Sequence, residues 1–456
     1  MPSPLHQAQT LYNDGNRRMA DGDAAGAEAC FLQALALVPD LGAARANLGY
    51  LKEQQGALAE AEVHYCAALA LLPEQLQLHL NLASLLLKLK RFDDAETAGR
   101  AALQLAPAAP AAWSNLGVLL ACVQREEEAE RCYRKALELD AGYAKAHYNL
   151  GYLLLRQGRW TEGLPKLDMR WRFERLLQHF TCPRWQGEDL DGKSIVIGFE
   201  AGHGDTLQFC RYAALLKARG AARVAVYCHP ALKQLLTTLA GADEVYAIDD
   251  ASSAGGWDCW TLPMSLPQYF DTRVDNVQAP IPYLSADAAL AAQWAAALPE
   301  APLRVGLAWR GNPNFENDAD RSLPSLQMLA PLGAADGVQF VSLQKGLGES
   351  EALQAPAGMR LHAAGAALRD FADTAALISN LDLVISIDTA VAHLAGALGK
   401  PCWLLLPDYR TDWRWLTARA DTPWYPQMRL FRQPRAGDWA SVVTAVAAAL
   451  QSWRGP

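Results

Sequence analysis

Asp205 stands in Gly202-His203-Gly204-Asp205-Thr206, directly after the β-branched run SIVIGFE (194–200) and at the head of an apolar helical stretch. A carboxylate at a strand end can accept a proton from an incoming hydroxyl. The same residue can equally serve as a helix N-cap held by backbone amides. The flanking glycines permit a tight turn that brings backbone close to a ligand, but the third glycine of a dinucleotide fingerprint is missing.

Three strand ends further along carry polar groups. LRVGLAW (303–309) runs into Arg310, Gly311 and Asn312 and on to Arg321; VQFVSLQ (338–344) ends in Gln344 and Lys345. LDLVISI (381–387) ends in Asp388, Thr389 and Ala390, which open a helix carrying His393. Free amides and the positive helix end at Thr389–Ala390 suit a diphosphate, and Arg310, Arg321 and Lys345 add full charges. Each cation alone could be a surface group, but their shared position after strand ends predicts a phosphate site. Asp318 and Asp320 form an Asp-x-Asp pair that could hold a divalent ion. They lie in a polar loop beside Arg321 without further ligands, and His203 and His393 lack companions at metal spacing, so no metal and no cofactor is expected. Neither a Gly-x-Ser-x-Gly elbow nor a Gly-x-x-x-x-Gly-Lys phosphate loop is present.

The elements that must position these residues read as two α/β lobes. The first has strands at 194–200, 223–229, 244–249 and 257–263, with helices at 206–220 and 230–241; the second has strands at 303–309, 338–344, 381–387 and 402–407. Helices of the second lobe are expected near 325–333, 373–380, 389–399 and 441–453, and the proline-flanked segment 278–302 reads as the interlobe connection. Two such lobes facing one another place ligands at the carboxyl ends of both strand sets. WRW (413–415) and PWYP (423–426) offer aromatic faces for a sugar or acceptor, or else core between the lobes.

Before them the chain repeats. Pro39, Pro73 and Pro107 are 34 apart, as are Ala27, Ala61, Ala95 and Ala129, and Ala34, Ala68, Ala102 and Ala136. Gly15, Gly49, Gly117 and Gly151 keep the phase with Ala83 in the remaining slot, while Phe31, Tyr65 and Tyr133 supply the large residue and Gly99 departs at that position. Small residues let antiparallel helices approach and the proline ends each pair. The pattern matches the tetratricopeptide repeat: four full repeats and a fifth that drifts at Gly163 and Leu167 into a capping helix, WTEGLPKLDMRWRFERL. Asn13, Asn47, Asn81, Asn115 and Asn149 share the same spacing. A column of amides can grip an extended peptide by its backbone, or each asparagine can tie helices together as repeat consensus. The expected boundaries are 1–180 for the solenoid and cap, 181–285 for the first lobe and 286–456 for the second, whose last helix is free to pack back on the first.

With 51% apolar and 20% charged residues, the 456-residue chain has ample material for several cores. Its 41 Lys and Arg against 49 Asp and Glu give a formal charge of -8, the wrong sign for a surface that binds nucleic acid or anionic lipid throughout. The first residues lack an apolar export stretch and no apolar run is long enough to span a bilayer. Nine scattered cysteines without a Cys-x-x-Cys pair fit reduced core thiols, so a cytoplasmic location is expected.

From about Ser194 to Leu450 the chain resembles the heptosyltransferase-like branch of the two-lobed (GT-B) glycosyltransferases. SIDTAVAHLAGALGKP is similar to that family's donor motif on Asp388, Thr389, Ala390, His393, Leu394, Ala395, Ala397 and Leu398, with Ala390 where glycine is usual. GHGDTLQF resembles the first-strand Gly-Asp motif, which implies that Asp205 is the acceptor base; Arg321 stands where a lysine often contacts phosphate or sugar. Repeats joined to such a half are also similar in layout to protein O-GlcNAc transferases and bacterial flagellin glycosyltransferases, whose repeats recruit a protein acceptor. The resemblance implies a metal-independent transferase moving sugar from a nucleotide-diphosphate donor to a protein hydroxyl. The alternatives are transfer to a glycan or lipid-linked saccharide, and a repeat scaffold with an idle transferase half.

Overall fold

The computed structural model describes residues 3–172, 180–250, 255–278, 280–453 and 455. An α-helical solenoid is followed by an α/β region with two parallel sheets, and the chain divides into compact units Met1–Leu153 and Leu154–Pro456.

The helices of the repeat region are α1 (Pro4–Ala20), α2 (Ala24–Leu37), α3 (Gly42–Gln54), α4 (Leu58–Leu71), α5 (Leu76–Lys88), α6 (Phe92–Leu105), α7 (Pro110–Cys122), α8 (Glu126–Leu139) and α9 (Ala144–Arg156). Ser3 and Asp23 cap α1 and α2 by accepting from the His6 and Gly26 amides. The phased glycines are required by contact: a Cβ at Gly15, Gly49 or Gly117 would sit 2.6 Å from the ring of Phe31, Tyr65 or Tyr133. In the third repeat the aromatic is replaced by Gly99, which leaves room for the methyl of Ala83. A second periodic device is a donor four residues into each later repeat. Arg45, His79, Trp113 and His147 donate to the carbonyls of Pro39, Pro73, Pro107 and Ala141 at 2.8–3.1 Å. Each ties the first turn of a repeat's leading helix to the connection that precedes it, just past the C-cap of the previous helix.

The second unit opens with α10 (Trp160–Leu167) and a 3-10 turn, Asp168–Arg172. Pro165 removes an amide donor from α10, and the expected single capping helix is accordingly two pieces, with its end beyond residue 172 outside the described residues. The strands are β1 (Ser194–Ile197), β2 (Arg223–Cys228), β3 (Glu244–Ala247), β4 (Cys259–Thr261), β5 (Leu303–Ala308), β6 (Val338–Ser342), β7 (Leu361–Ala363), β8 (Leu383–Ile387), β9 (Cys402–Leu406) and β10 (Met428–Arg432). They pair in parallel as β3-β2-β1-β4 and as β10-β9-β8-β5-β6-β7. β1, β8 and β9 are buried along their whole length, which is why they read as unbroken apolar runs.

The helices around the sheets are α11 (His203–Phe209), α12 (Ala213–Ala218), α13 (Lys233–Leu236), α14 (Leu266–Tyr269), α15 (Ala288–Ala297), α16 (Asp318–Arg321), α17 (Phe371–Ser379), α18 (Ala390–Ala397) and α19 (Trp439–Ser452). The segment expected as a helix at 325–333 is a 3-10 run, Leu326–Ala334, interrupted by Pro331. The last helix, α19, packs on the second sheet: Trp439, Val442, Val446 and Leu450 share a core with Val305, Ile385 and Leu405. Among the described residues no helix is long and apolar enough to cross a membrane.

Candidate active site

The loop between β1 and α11 holds Asp205 at the third position of the helix. The N-cap is Gly202 rather than Asp205: the Asp205 Oδ2 reaches back to accept the Gly202 amide at 2.8 Å, while its side chain stays 21% exposed. Ala201, one residue earlier, lies at φ +56, a left-handed conformation that a non-glycine residue holds only when its surroundings impose it. The neighbouring residue is firmly anchored. Glu200 is buried and bidentate with Arg170 at 2.7 and 2.9 Å, and its Oε1 also accepts the Met264 amide at 2.7 Å. Asp168 and Arg184 extend this network at 2.6 Å. Burial alone would raise the Asp168 carboxyl, but the Arg184 hydrogen bond and charge hold it below its ordinary range.

The loop between β8 and α18 faces the same place. Gly204 packs on the start of α18: a Cβ there would lie 2.8 Å from the His393 ring and 3.7 Å from the Ala390 backbone. Thr389 is the N-cap, and the first amides of α18 have no partner within the helix. Asp388 accepts from Trp415 Nε1 at 2.9 Å. Burial, then the charge of Asp412, push its carboxyl up to about 6 against the pull of Trp415, Arg321 and Arg414. His393 is buried, shares a 3.0 Å hydrogen bond with Tyr425 and stacks on Trp415. Burial, followed by the charges of Arg414, Arg211 and Arg321, drives it well below the usual histidine range, so it is a neutral imidazole at pH 7.

The Arg321 charge is among those that act on both Asp388 and His393. Arg321 pairs with buried Asp318 at 3.2 Å and lies 4.2 Å from the Phe315 ring centroid. Asp318 also accepts from Ser322 at 3.0 Å, so the first carboxylate of the Asp-x-Asp pair is engaged internally. Among the described residues no group of three His, Cys, Asp or Glu side chains could hold a metal ion.

The other residues expected to contact the donor also have partners within the protein. Gln344 accepts from the Trp309 and Arg310 amides and donates to the Arg310 and Leu347 carbonyls, all within 3.0 Å, which exhausts its amide. Arg310 pairs with Glu351 at 3.0 Å and donates to the Pro324 carbonyl; Asn312 accepts from the Asn314 amide at 3.0 Å. Lys345 is half exposed and reaches the Gly365 carbonyl at 3.1 Å.

The aromatic segments resolve as core. Trp413, Trp415, Trp424 and Tyr425 are buried, and Trp160 of α10 stacks on Trp424 and meets Trp413 edge-on. Arg211 is buried among Tyr283, Tyr425 and Trp424, donating both terminal nitrogens to the Trp424 carbonyl at 3.1 Å. Sequence reasoning missed Arg170, Glu200, Arg211, Asp412 and Arg414. For the three arginines the signal was a guanidinium within an apolar, aromatic run, a residue type buried only when partnered; Glu200 and Asp412 carried no such signal.

In the repeats all five asparagines of the column are solvent-accessible. Asn13 and Asn81 accept from Gln9 and Gln77 at 3.1 and 2.7 Å, Asn47 donates to Asn16 at 2.6 Å, and Asn149 donates to Ser114 at 3.4 Å.

A helical-repeat unit joined to an α/β unit whose polar strand ends meet between two parallel sheets is the class defined by this geometry. Residues 64–112, 80–126 and 124–158 match models of the tetratricopeptide repeat, and residues 338–405 match that of glycosyltransferase family 9 (heptosyltransferase). The latter span covers β6 through most of β9, including Asp388, Thr389, Ala390 and His393. The chain is 28% identical over 308 residues to Protein FlbA of Caulobacter vibrioides (strain ATCC 19089 / CIP 103742 / CB 15), covering 59% of this chain and 48% of that protein. It therefore spans about half the length of that relative. Among solved structures it is similar to MamA 41-end from Desulfovibrio magneticus RS-1 (20% identity, 38% of this chain and 97% of that one, TM-score 0.34). It is also similar to YrrB, described as a TPR protein with an unusual peptide-binding site (24%, 37% and 86%, 0.30).

Proposed function

We propose that this chain is a metal-independent glycosyltransferase that takes sugar from a nucleotide-diphosphate donor and places it on a hydroxyl of a protein held by the repeats. The observation that carries the reading is the meeting of Asp205, from the first sheet, with the α18 terminus of the family 9 segment, at the Gly204–His393 contact. In the transfer the acceptor oxygen bonds to the anomeric carbon, its proton passes to Asp205, and the bond to the diphosphate breaks with its electron pair on a phosphate oxygen. Negative charge then grows on the leaving group, opposite Arg321 and the α18 amides. His393, neutral and hydrogen-bonded to Tyr425, shapes this pocket rather than adding charge. Arg310 and Lys345 are assigned supporting parts because each is already paired.

A second reading of the acceptor rests on the asparagines. Four of the five are hydrogen-bonded within the solenoid, Asn47 and Asn149 to a neighbouring helix as braces would be and Asn13 and Asn81 within their own helix, and repeats that only dock would leave the acceptor a glycan or lipid-linked saccharide. The donor half is tested by calorimetry with UDP, GDP and ADP. Arg321→Ala should weaken the nucleoside diphosphate that binds by about 1.5–3 kcal/mol, the range for a hydrogen bond to a charged group. Unchanged affinity would remove Arg321 from the site, and loss of binding or turnover in EDTA would return the Asp318–Asp320 pair to consideration.

A further inference from the structure

The Trp413–Trp415 turn, which follows β9, sends three consecutive side chains to three places. Trp413 enters the aromatic core with Trp160 and Trp424, and Trp415 donates to Asp388. Arg414 goes to Asp205. One terminal nitrogen donates to Asp205 Oδ1 and lies 3.4 Å from Met264 Sδ, while the other donates to Asp412 Oδ2 at 2.9 Å. The guanidinium lies 5.2 Å from the ring centroids of both Phe209 and Trp413, and its side chain is only 8% exposed. A planar fork fixed between two carboxylates and two rings has little freedom to turn.

Asp205 is thereby held from two directions. The Gly202 amide takes Oδ2 from its own loop, and Arg414 takes Oδ1 from a loop of the second sheet. Each carboxylate oxygen keeps a second lone pair, and the exposed fraction of the side chain leaves one reachable by an acceptor hydroxyl.

We propose that Arg414 is a positioning residue for Asp205: it sets the orientation of the carboxylate from the opposite sheet, so that the proton acceptor is in place only while the two sheets are apposed. The inference rests on the reading of Asp205 as proton acceptor. Asp412 completes the device, because it keeps a counter-charge on the guanidinium when Asp205 takes up the proton. The same turn ties Asp388 through Trp415, so the acceptor side and the donor side are referenced to one short segment.

The test uses the full chain and nucleoside diphosphate release from a panel of UDP-, GDP- and ADP-linked sugars. Arg414→Ala and Arg414→Lys are each made with Asp205 intact and with Asp205→Asn, and circular dichroism checks folding. Arg414→Ala should lower kcat about 100-fold, the scale of a lost general base, with donor KM changed by no more than about twofold. Arg414→Lys should recover part of kcat, and neither change should slow the Asp205→Asn enzyme further. A rise in donor KM at unchanged kcat, or a further loss on top of Asp205→Asn, would make Arg414 a diphosphate ligand and overturn the proposal. So would wild-type turnover in Arg414→Ala, which leaves the transferase reading standing. If Arg414→Ala does not fold, Arg414→Lys and Arg414→Gln carry the same comparison. A wild-type chain that releases diphosphate from no sugar in the panel would instead remove the transferase reading, and this proposal with it.

Discussion

Asp388 is a carboxylate whose ionisation the fold opposes, and the sign of the effect can be followed through pH. Its carboxyl is raised from 3.8 to about 6 in the folded protein. Between those values the folded chain binds a proton that the unfolded chain releases, so its contribution to stability falls as pH rises through that window. Asp388→Asn keeps an acceptor for Trp415 and carries no charge. The variant should melt a few degrees above wild type at pH 7.5, with the gap closing by pH 4.5; a gap independent of pH would contradict the burial account. The positions of Asp388, Thr389, Ala390 and Asp205 at the strand-to-helix turns after β8 and β1 were legible because apolar strands give way there to polar residues that open helices. Arg414 was not. Trp-Arg-Trp read through its two rings, as ligand-facing aromatics or core between the lobes, and only the fold brings a residue 209 positions away to Asp205. Gln344 shows what position alone leaves out: its place after a strand end suits a ligand, and in the fold its side-chain amide makes four bonds to backbone.

The repeat helices were legible from spacing, because Gly15, Gly49 and Gly117 each answer a ring two helical turns beyond the bend. The pairing of Ala83 with Gly99 shows the rule from the other side. Gly117→Ala puts a methyl 2.6 Å from Tyr133, so something must shift, and urea melts of the full chain should show a loss of about 1–3 kcal/mol despite the better helix propensity of alanine. A gain in stability would mean the ring is not seated against the glycine. In the α/β unit the long buried strands were read correctly, whereas β7 and β10 were missed. β7 is a three-residue edge strand with exposed positions, and β10 alternates arginines with apolar residues; neither shows the unbroken run of a central parallel strand. The Arg170–Glu200 brace was invisible because its partners are 30 residues apart on elements whose packing no local pattern records.

Across the whole molecule the account assigns acceptor recruitment to one unit and chemistry to the other, which makes them separable. Changing Asn47, Asn81, Asn115 and Asn149 together to Ala should abolish modification of a protein acceptor while nucleotide-sugar hydrolysis persists. Single changes should be mild, since each net hydrogen bond contributes about 0.5–1.5 kcal/mol. Because four of the five asparagines bond within the solenoid, circular dichroism and melting come first. An early-melting quadruple variant would assign the column to bracing, and a well-folded one that still modifies its acceptor would move acceptor binding elsewhere. The central claim, that Asp205 and the α18 terminus form a sugar-transfer site, is tested most directly by nucleoside diphosphate release from a panel of nucleotide sugars, comparing wild type with Asp205→Asn in EDTA. The account predicts release by wild type and a loss of about 100-fold or more in the variant at unchanged melting temperature. Equal release by both proteins, or none by wild type with any donor, would contradict it.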